Sequence, residues 1–480
     1  MVASLLVLTL VAGVALGSHF GTGGTSAVPG AAGPSGGGVT SGGAEERAGF
    51  AGANVQHVGD LENETGSGAD DPVRVGIIGT RFDARDPALR PQVADVRRFD
   101  ASGGRITHGT AVAEVVSHTL PDSELYLASV GREPSTDSYA EAVNWLVAND
   151  ADVIVDAGSY FPQSTKAARR LASATRHATR SGVVFVTSAG NYRRRHWRGT
   201  GTTGGWVQFA DEDVQVNPLD GGDPLGGRVS LRLSWNSSAD YDLYLYRYRR
   251  NGESAVVAKS TTRENGTGGA IEAIDATVPR GRYYAAVYAE NGTDDPGPVE
   301  LFAAHHDLKY ATDNGSVVTP VAMEGVIVVG AYDATNGSVA PYSSRGDNAT
   351  EVDILAPELA RTTASGPLRG TSAAAPYVAG AAAVMKSHNE SLSPAAVERI
   401  LERTADGNRV DPAAAVEAVD GVRMNATATN GNATATNGNA TATNGNENAT
   451  ATNGNENATA TNGNVTTVSH DSMPTPATAV

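Results

Sequence analysis

Gly370-Thr371-Ser372-Ala373-Ala374-Ala375-Pro376 is followed at once by the apolar run Tyr377-Val378-Ala379-Gly380-Ala381-Ala382-Ala383-Val384-Met385. A serine between a turn residue and a small-residue helix has a hydroxyl that is both exposed and polarised. The first turn of such a helix offers free backbone N–H groups and the positive end of the helix dipole to a developing oxyanion. A serine in this place is most often no more than an N-cap. Its role therefore turns on whether a histidine, an oxyanion donor and a carboxylate accompany it.

A serine hydroxyl needs a base, and imidazole titrates near neutrality. His108-Gly109-Thr110-Ala111-Val112-Ala113 opens a predicted helix, and Val184-Phe185-Val186-Thr187-Ser188-Ala189-Gly190-Asn191 reads as a buried strand ending in a turn. With Gly370–Pro376, these stretches resemble the histidine, oxyanion and nucleophile motifs of the subtilisin-like serine proteases (subtilases). Tyr342-Ser343-Ser344-Arg345-Gly346 and Asp353-Ile354-Leu355-Ala356-Pro357 match the same family's approach to the serine. The resemblance covers about residues 73–191 and 317–404. It implies a serine-type endopeptidase acting on proteins or peptides. Ser372 would be the nucleophile, His108 the general base and acid, and the Asn191 side-chain amide an oxyanion donor beside the Ser372 N–H. Calcium is common in the family, but no loop here carries a ligand pattern clear enough to name.

The pattern breaks at the third triad member. Subtilases end their first strand in a catalytic aspartate, and here that strand reads Val75-Gly76-Ile77-Ile78-Gly79-Thr80-Arg81-Phe82-Asp83. Gly79 takes the acid's position, and Asp83 matches a second, non-catalytic acid. Three arrangements follow: a relocated carboxylate from the neighbouring strand, Asp83 brought in by a rotated loop, or no acid at all. The strand Asp152-Val153-Ile154-Val155-Asp156, whose end forms the floor of the family's substrate cleft, closes an apolar run with an aspartate that needs a partner, since burying it alone is costly. We therefore read Asp156 as the carboxylate that orients His108 across the space left by Gly79. The rival reading is a catalytically impaired subtilase-fold surface glycoprotein acting in binding or adhesion.

Around these motifs the chain divides by composition. From Val73, apolar strands alternate with helices, at His108–His118, Ser138–Ala148 and Thr165–Ser181, which predicts an α/β fold with a parallel sheet flanked by helices. The catalytic unit is expected over residues 71–203 and 311–420. Between 204 and 310 the rhythm becomes all-β, with strict alternation in Tyr241-Asp242-Leu243-Tyr244-Leu245-Tyr246. This stretch resembles the pre-peptidase C-terminal β-sandwich domains of secreted proteases and is expected as an inserted antiparallel β-sandwich. The cluster Arg193-Arg194-Arg195-His196-Trp197-Arg198 looks like an anion site, but is expected to pair with the protein's own carboxylates. His305-His306 lacks a third metal ligand at sensible spacing.

The 480-residue chain carries 36 Lys and Arg against 53 Asp and Glu, a formal net charge of −17, and lysine occurs only at positions 166, 259, 309 and 386. This balance argues against nucleic acid as a partner and suits solubility at high ionic strength. There is no cysteine. Residues 1–17 read as a signal peptide or N-terminal anchor, the one expected membrane contact, and 18–70 as a flexible linker. Residues 421–480 repeat Asn-Ala-Thr-Ala-Thr-Asn-Gly, are expected to be disordered, and begin Asn-X-Thr acceptor signals at Asn425, Asn432, Asn439, Asn448, Asn457 and Asn464. Together these features point to an extracellular or cell-surface glycoprotein.

Overall fold

The computed structural model describes residues 72–428, apart from 101–102, 104–105, 212, 250–252, 263–268, 292–295, 319–324 and 348–350, together with short segments between 434 and 468. The expected N-terminal segment 1–17, the linker 18–70 and much of the tail lie outside the described residues. In chain order the elements are β1 (Arg74–Gly79), β2 (Val93–Arg98), α1 (Ile106–Thr119), β3 (Glu124–Ser129), α2 (Thr136–Ala148), β4 (Val153–Asp156), α3 (Thr165–Arg180) and β5 (Val184–Ser188). An all-β stretch follows: β6 (His196–Thr200), β7 (Gly205–Trp206), β8 (Asn217–Pro218), β9 (Leu225–Trp235), β10 (Asp240–Tyr248), β11 (Ser254–Ser260), β12 (Ala270–Gly281), β13 (Tyr283–Asn291) and β14 (Pro298–Ala303). The chain then returns to β15 (Val326–Tyr332), β16 (Ile354–Pro357), the hairpin β17 (Leu359–Thr362) and β18 (Gly366–Arg369), α4 (Thr371–His388), α5 (Pro394–Thr404) and α6 (Pro412–Ala428).

Seven strands form a parallel sheet in the order β16-β15-β5-β4-β1-β3-β2. Its central strands β4 and β5 are buried throughout, as their continuous apolar runs require. Strand alternation sends successive side chains to opposite faces. On one face Val75, Ile77, Val153, Val155 and Ala157 pack with α1 and α4. On the other, Ile78, Ile154 and Phe185 pack with residues of α2 and α3 such as Tyr139, Leu146 and Leu171. Helix α4 is buried on every side but for Ser372 near its start, which makes it the central helix of the unit. Its small residues permit close contact: a Cβ on Gly380 would lie 2.1 Å from Thr119 Oγ1 on α1.

The inserted segment forms two antiparallel sheets, β11-β10-β13-β7 with β8, and β12-β9-β14-β6. They enclose a separate core of Leu231, Leu233, Tyr241, Leu243, Leu245, Tyr283, Val287 and Leu301. The strict alternation over 241–246 places Tyr241, Leu243 and Leu245 in that core. The sandwich begins earlier than residue 204, because β6 supplies an edge strand to β14. It grips the exit of β4: Arg232 Nε donates to Phe161 O at 3.1 Å and Gln163 Nε2 donates to Asp275 Oδ2 at 2.9 Å. At the other end of the unit, α6 continues helical past the expected boundary at 420. In the tail, short strands pair in parallel, Asn439–Ala442 with Asn457–Ala460 and Ala449–Thr452 with Val465–Val468.

Candidate active site

The C-terminal edge of a parallel sheet is where the loops and helix N-termini of an α/β fold converge. Here β1, β4 and β5 end close to the starts of α1 and α4. Gly370 caps α4 with φ 101°, a left-handed conformation that favours glycine. A Cβ there would also meet Asn191 Nδ2 at 2.8 Å. Ser372 thus lies in the first turn, where its backbone N–H has no intrahelical partner. Pro376 has no N–H to offer the Ser372 carbonyl one turn back, so the start of the helix stays open. The Ser372 hydroxyl is half-buried and donates to Ala157 O, just past the end of β4, at 3.2 Å.

Asn191 follows β5 through Ala189 and Gly190. Its Oδ1 accepts from Thr371 N at 3.2 Å and from Thr371 Oγ1 at 3.4 Å, while Gly190 N donates to that hydroxyl at 3.2 Å. These bonds turn the amide oxygen toward the helix start. They leave Nδ2 without a partner among the described residues, beside Gly370.

His108 sits in the first turn of α1, with Ile106 and Thr107 before it. Gly109 lets that turn approach the chain leaving β1: a Cβ on it would lie 2.4 Å from Arg81 O. Thr110 Oγ1 donates to Ile106 O at 2.7 Å and accepts from Asp83 N at 2.9 Å, closing the contact. Burial lowers the imidazole pKa from its ordinary value, with no opposing charge to raise it. Helix α1 is tied to the serine side through Glu114, which is fully buried and accepts from Thr363 N, Thr363 Oγ1 and Ala364 N in the turn between β17 and β18.

Asp156 does not reach His108. It closes β4 in register with Ile78 of β1, so its side chain shares the face of Ile154, and α1 lies on the other side of the sheet. There it accepts from Tyr139 OH at 2.8 Å, Gly158 N at 2.8 Å and Tyr160 OH at 3.1 Å. These three donors satisfy the buried carboxylate without a histidine, and burial pushes its pKa up to about 6. The expected relocation of the acid is therefore corrected by the pleat of the sheet. Asp83 is exposed and accepts from Arg85 N at 3.1 Å, so the rotated-loop arrangement is not formed either.

The space beside Gly79 is filled by hydrocarbon. A Cβ on Gly79 would meet Phe82 Cζ at 2.9 Å and Gly109 Cα at 3.3 Å, and Phe82 is 6 % exposed. Its ring lies between the position that lost the acid and the residue that follows His108. Among the described residues no carboxylate bonds to His108. Phe82, Glu114 and the Tyr139–Tyr160 pair were not singled out by sequence reasoning. Phe82 alone left a signal, as a bulky residue three places after an unexpected glycine.

The arginine cluster pairs with carboxylates, as expected: Arg193 with Asp313, Arg194 and Arg195 with Asp307, and Arg198 with Asp347. His306 bonds to Asp220 at 2.9 Å and to Arg228 O at 3.0 Å, a structural arrangement. The group of carboxylates close enough to share a cation among the described residues is Asp353, Glu398 and Glu402. Asp353 Oδ2 already accepts from Val328 N and Glu398 Oε2 from Gly325 N, and burial together with Glu398 and Glu402 pushes the Asp353 pKa up to about 7.

A sequence model of the Subtilase family matches residues 71–215 and 212–421. Among solved structures, the CspB protease of Clostridium perfringens is similar over 77% of this chain and 98% of that one, at 16% identity and a TM-score of 0.57. The nisin leader peptidase NisP of Lactococcus lactis is similar over 76% and 92%, at 16% identity and a TM-score of 0.43. The first of these likenesses bears on the fold, the parallel sheet with its flanking helices.

Proposed function

Because the chain belongs to the subtilase family, we propose that it is a serine peptidase that cleaves through an acyl-enzyme on Ser372 and works from a Ser–His pair with no orienting carboxylate. The observation that carries this reading is the docking of Asn191 on Gly370 and Thr371, which keeps an amide donor beside the serine. In the reaction the Ser372 Oγ–carbon bond forms as His108 takes the hydroxyl proton. Negative charge on the carbonyl oxygen meets Asn191 Nδ2 and the Ser372 N–H. His108 then gives its proton to the departing amine, and water, deprotonated in turn by His108, releases the acyl group.

Loss of the acid lowers kcat by about 10⁴ in a related triad. A slow enzyme suits a limited number of cuts in a favoured substrate better than bulk digestion. The apolar segment at 2–17 and the Asn-X-Thr signals support export and glycosylation, and the acidic surface supports work at high salt. Among the described residues no helix is long and apolar enough to cross a membrane. Phe82 in the acid's place favours a second reading, a subtilase fold kept for binding. Labelling with a fluorophosphonate separates the two: a Ser372-dependent adduct, lost in Ser372→Ala, is expected, and its absence at every salt concentration leaves the binding reading.

A further inference from the structure

Next to Asn191 and Gly370 opens a cleft of about 310 Å³ whose charged lining is Arg194, Arg195, Arg369 and Asp307. Asp307 serves two guanidinium groups at once, Arg194 Nη2 at 2.9 Å and Arg195 Nε at 3.0 Å. Arg369 Nη1 pairs with Glu358 Oε1 at 2.5 Å, and the second oxygen of Glu358 is taken by Tyr342 OH. Three cations therefore line the cleft against one carboxylate, Asp307, while Glu358 and Asp333 act on Arg369 from outside the lining. The adjoining depression adds Lys309 and Asp220, which leaves the surplus unchanged. The Arg194 and Arg369 side chains are 66% and 58% exposed. Each makes one ion pair of a guanidinium that carries five N–H donors. A local positive surplus at this point stands out on a chain of formal charge −17.

We infer that this cleft is the subsite for an acidic side chain, aspartate or glutamate, within a residue or two of the bond that Ser372 attacks. The position follows from Asn191, which both lines the cleft and would hold the scissile carbonyl oxygen. The chemistry follows from the planar donors of Arg369 and Arg194, which match a carboxylate in a bidentate fashion. The remaining surface repels acidic peptides, so recognition rests on contact here rather than on long-range attraction. That suits a salty medium, where the Debye length shrinks to about 3 Å at 1 M. The proposal rests on the peptidase reading and names its substrate class.

The test uses the full chain and peptide mixtures in which each position flanking the cut is Asp or Glu in one set and Asn or Gln in the other. Cleavage is read by mass spectrometry, and fluorophosphonate labelling of Ser372 is measured in the same samples. A preference of tenfold or more for the acid at one flanking position is expected. The Arg194→Gln, Arg369→Gln double variant is expected to lose it while labelling at the wild-type rate, and Arg369→Lys to keep part of it. Equal cleavage of both sets, or an acid preference that survives in the labelled double variant, overturns the subsite and leaves the peptidase reading standing. No labelling of the wild type overturns both.

Discussion

Restoring a carboxylate behind His108 asks directly what the missing acid costs. Gly79→Asp alone is expected to fail, because its Cβ would sit 2.9 Å from Phe82 Cζ, closer than real Cβ atoms come to a ring carbon. Phe82→Ala opens the space, at a stability cost of about 3–5 kcal/mol for a buried phenylalanine. The Gly79→Asp, Phe82→Ala double variant then places a carboxylate where hydrocarbon lay, beside the first turn of α1. A full recovery of the acid's contribution is worth about 10⁴ in kcat, or about 5 kcal/mol of barrier. A designed carboxylate without its own supporting bonds recovers part of that, and an increase of about 10² over Phe82→Ala is the expected result.

Peptide turnover and the rate of fluorophosphonate labelling both report the gain, with thermal melting as the control for folding. A second readout follows from sign. Burial now lowers the His108 pKa. A nearby carboxylate favours the imidazolium and raises it, so the acid limb of the pH–rate profile moves to higher pH. A folded double variant with unchanged rate and an unmoved acid limb would refute the reasoning, since another group would then be orienting the imidazole.

Asn191→Ala is expected to lower kcat about 10²–10³-fold with a smaller change in KM, because the lost donor acts on the transition state; equal kcat would remove it from the oxyanion site. Asp156 holds its proton up to about pH 6 in the folded chain, against an ordinary value of 3.8, so its contribution to stability falls as pH rises through that window. Urea unfolding should show the difference in stability between pH 4 and pH 7 changing by about 2 kcal/mol in Asp156→Asn, and an unchanged slope would place the carboxylate outside the buried cluster. Gly109→Ala drives a Cβ to 2.4 Å from the Arg81 carbonyl and is expected to destabilise the fold by about 1–3 kcal/mol, measured in the same unfolding assay.

The motifs around Ser372, His108 and Asn191 were legible because the need for each is local. Gly370 requires a left-handed backbone, Gly109 a bare Cα against Arg81 O, and Asn191 a short turn after a buried strand. The parallel sheet and the inserted sandwich were legible for a related reason, since continuous and alternating apolar runs report which faces a strand buries. Boundaries were less so: β6 joins the sandwich through pairing with β14, a contact 100 residues away in sequence that composition does not record.

Asp156 shows where such reading stops. The sequence by itself determined that a carboxylate closes a buried strand and that glycine stands where an acid is expected. Which face of the sheet that carboxylate takes depends on the pleat and on the helices that cover each side. Only the tertiary structure brought Tyr139 of α2 to Asp156 and laid Phe82 between Gly79 and Gly109. The physical reason is that a buried charge settles on the face where donors converge on it, and although Gly158 and Tyr160 are local, Tyr139 and the helices that cover each face come from elsewhere in the chain.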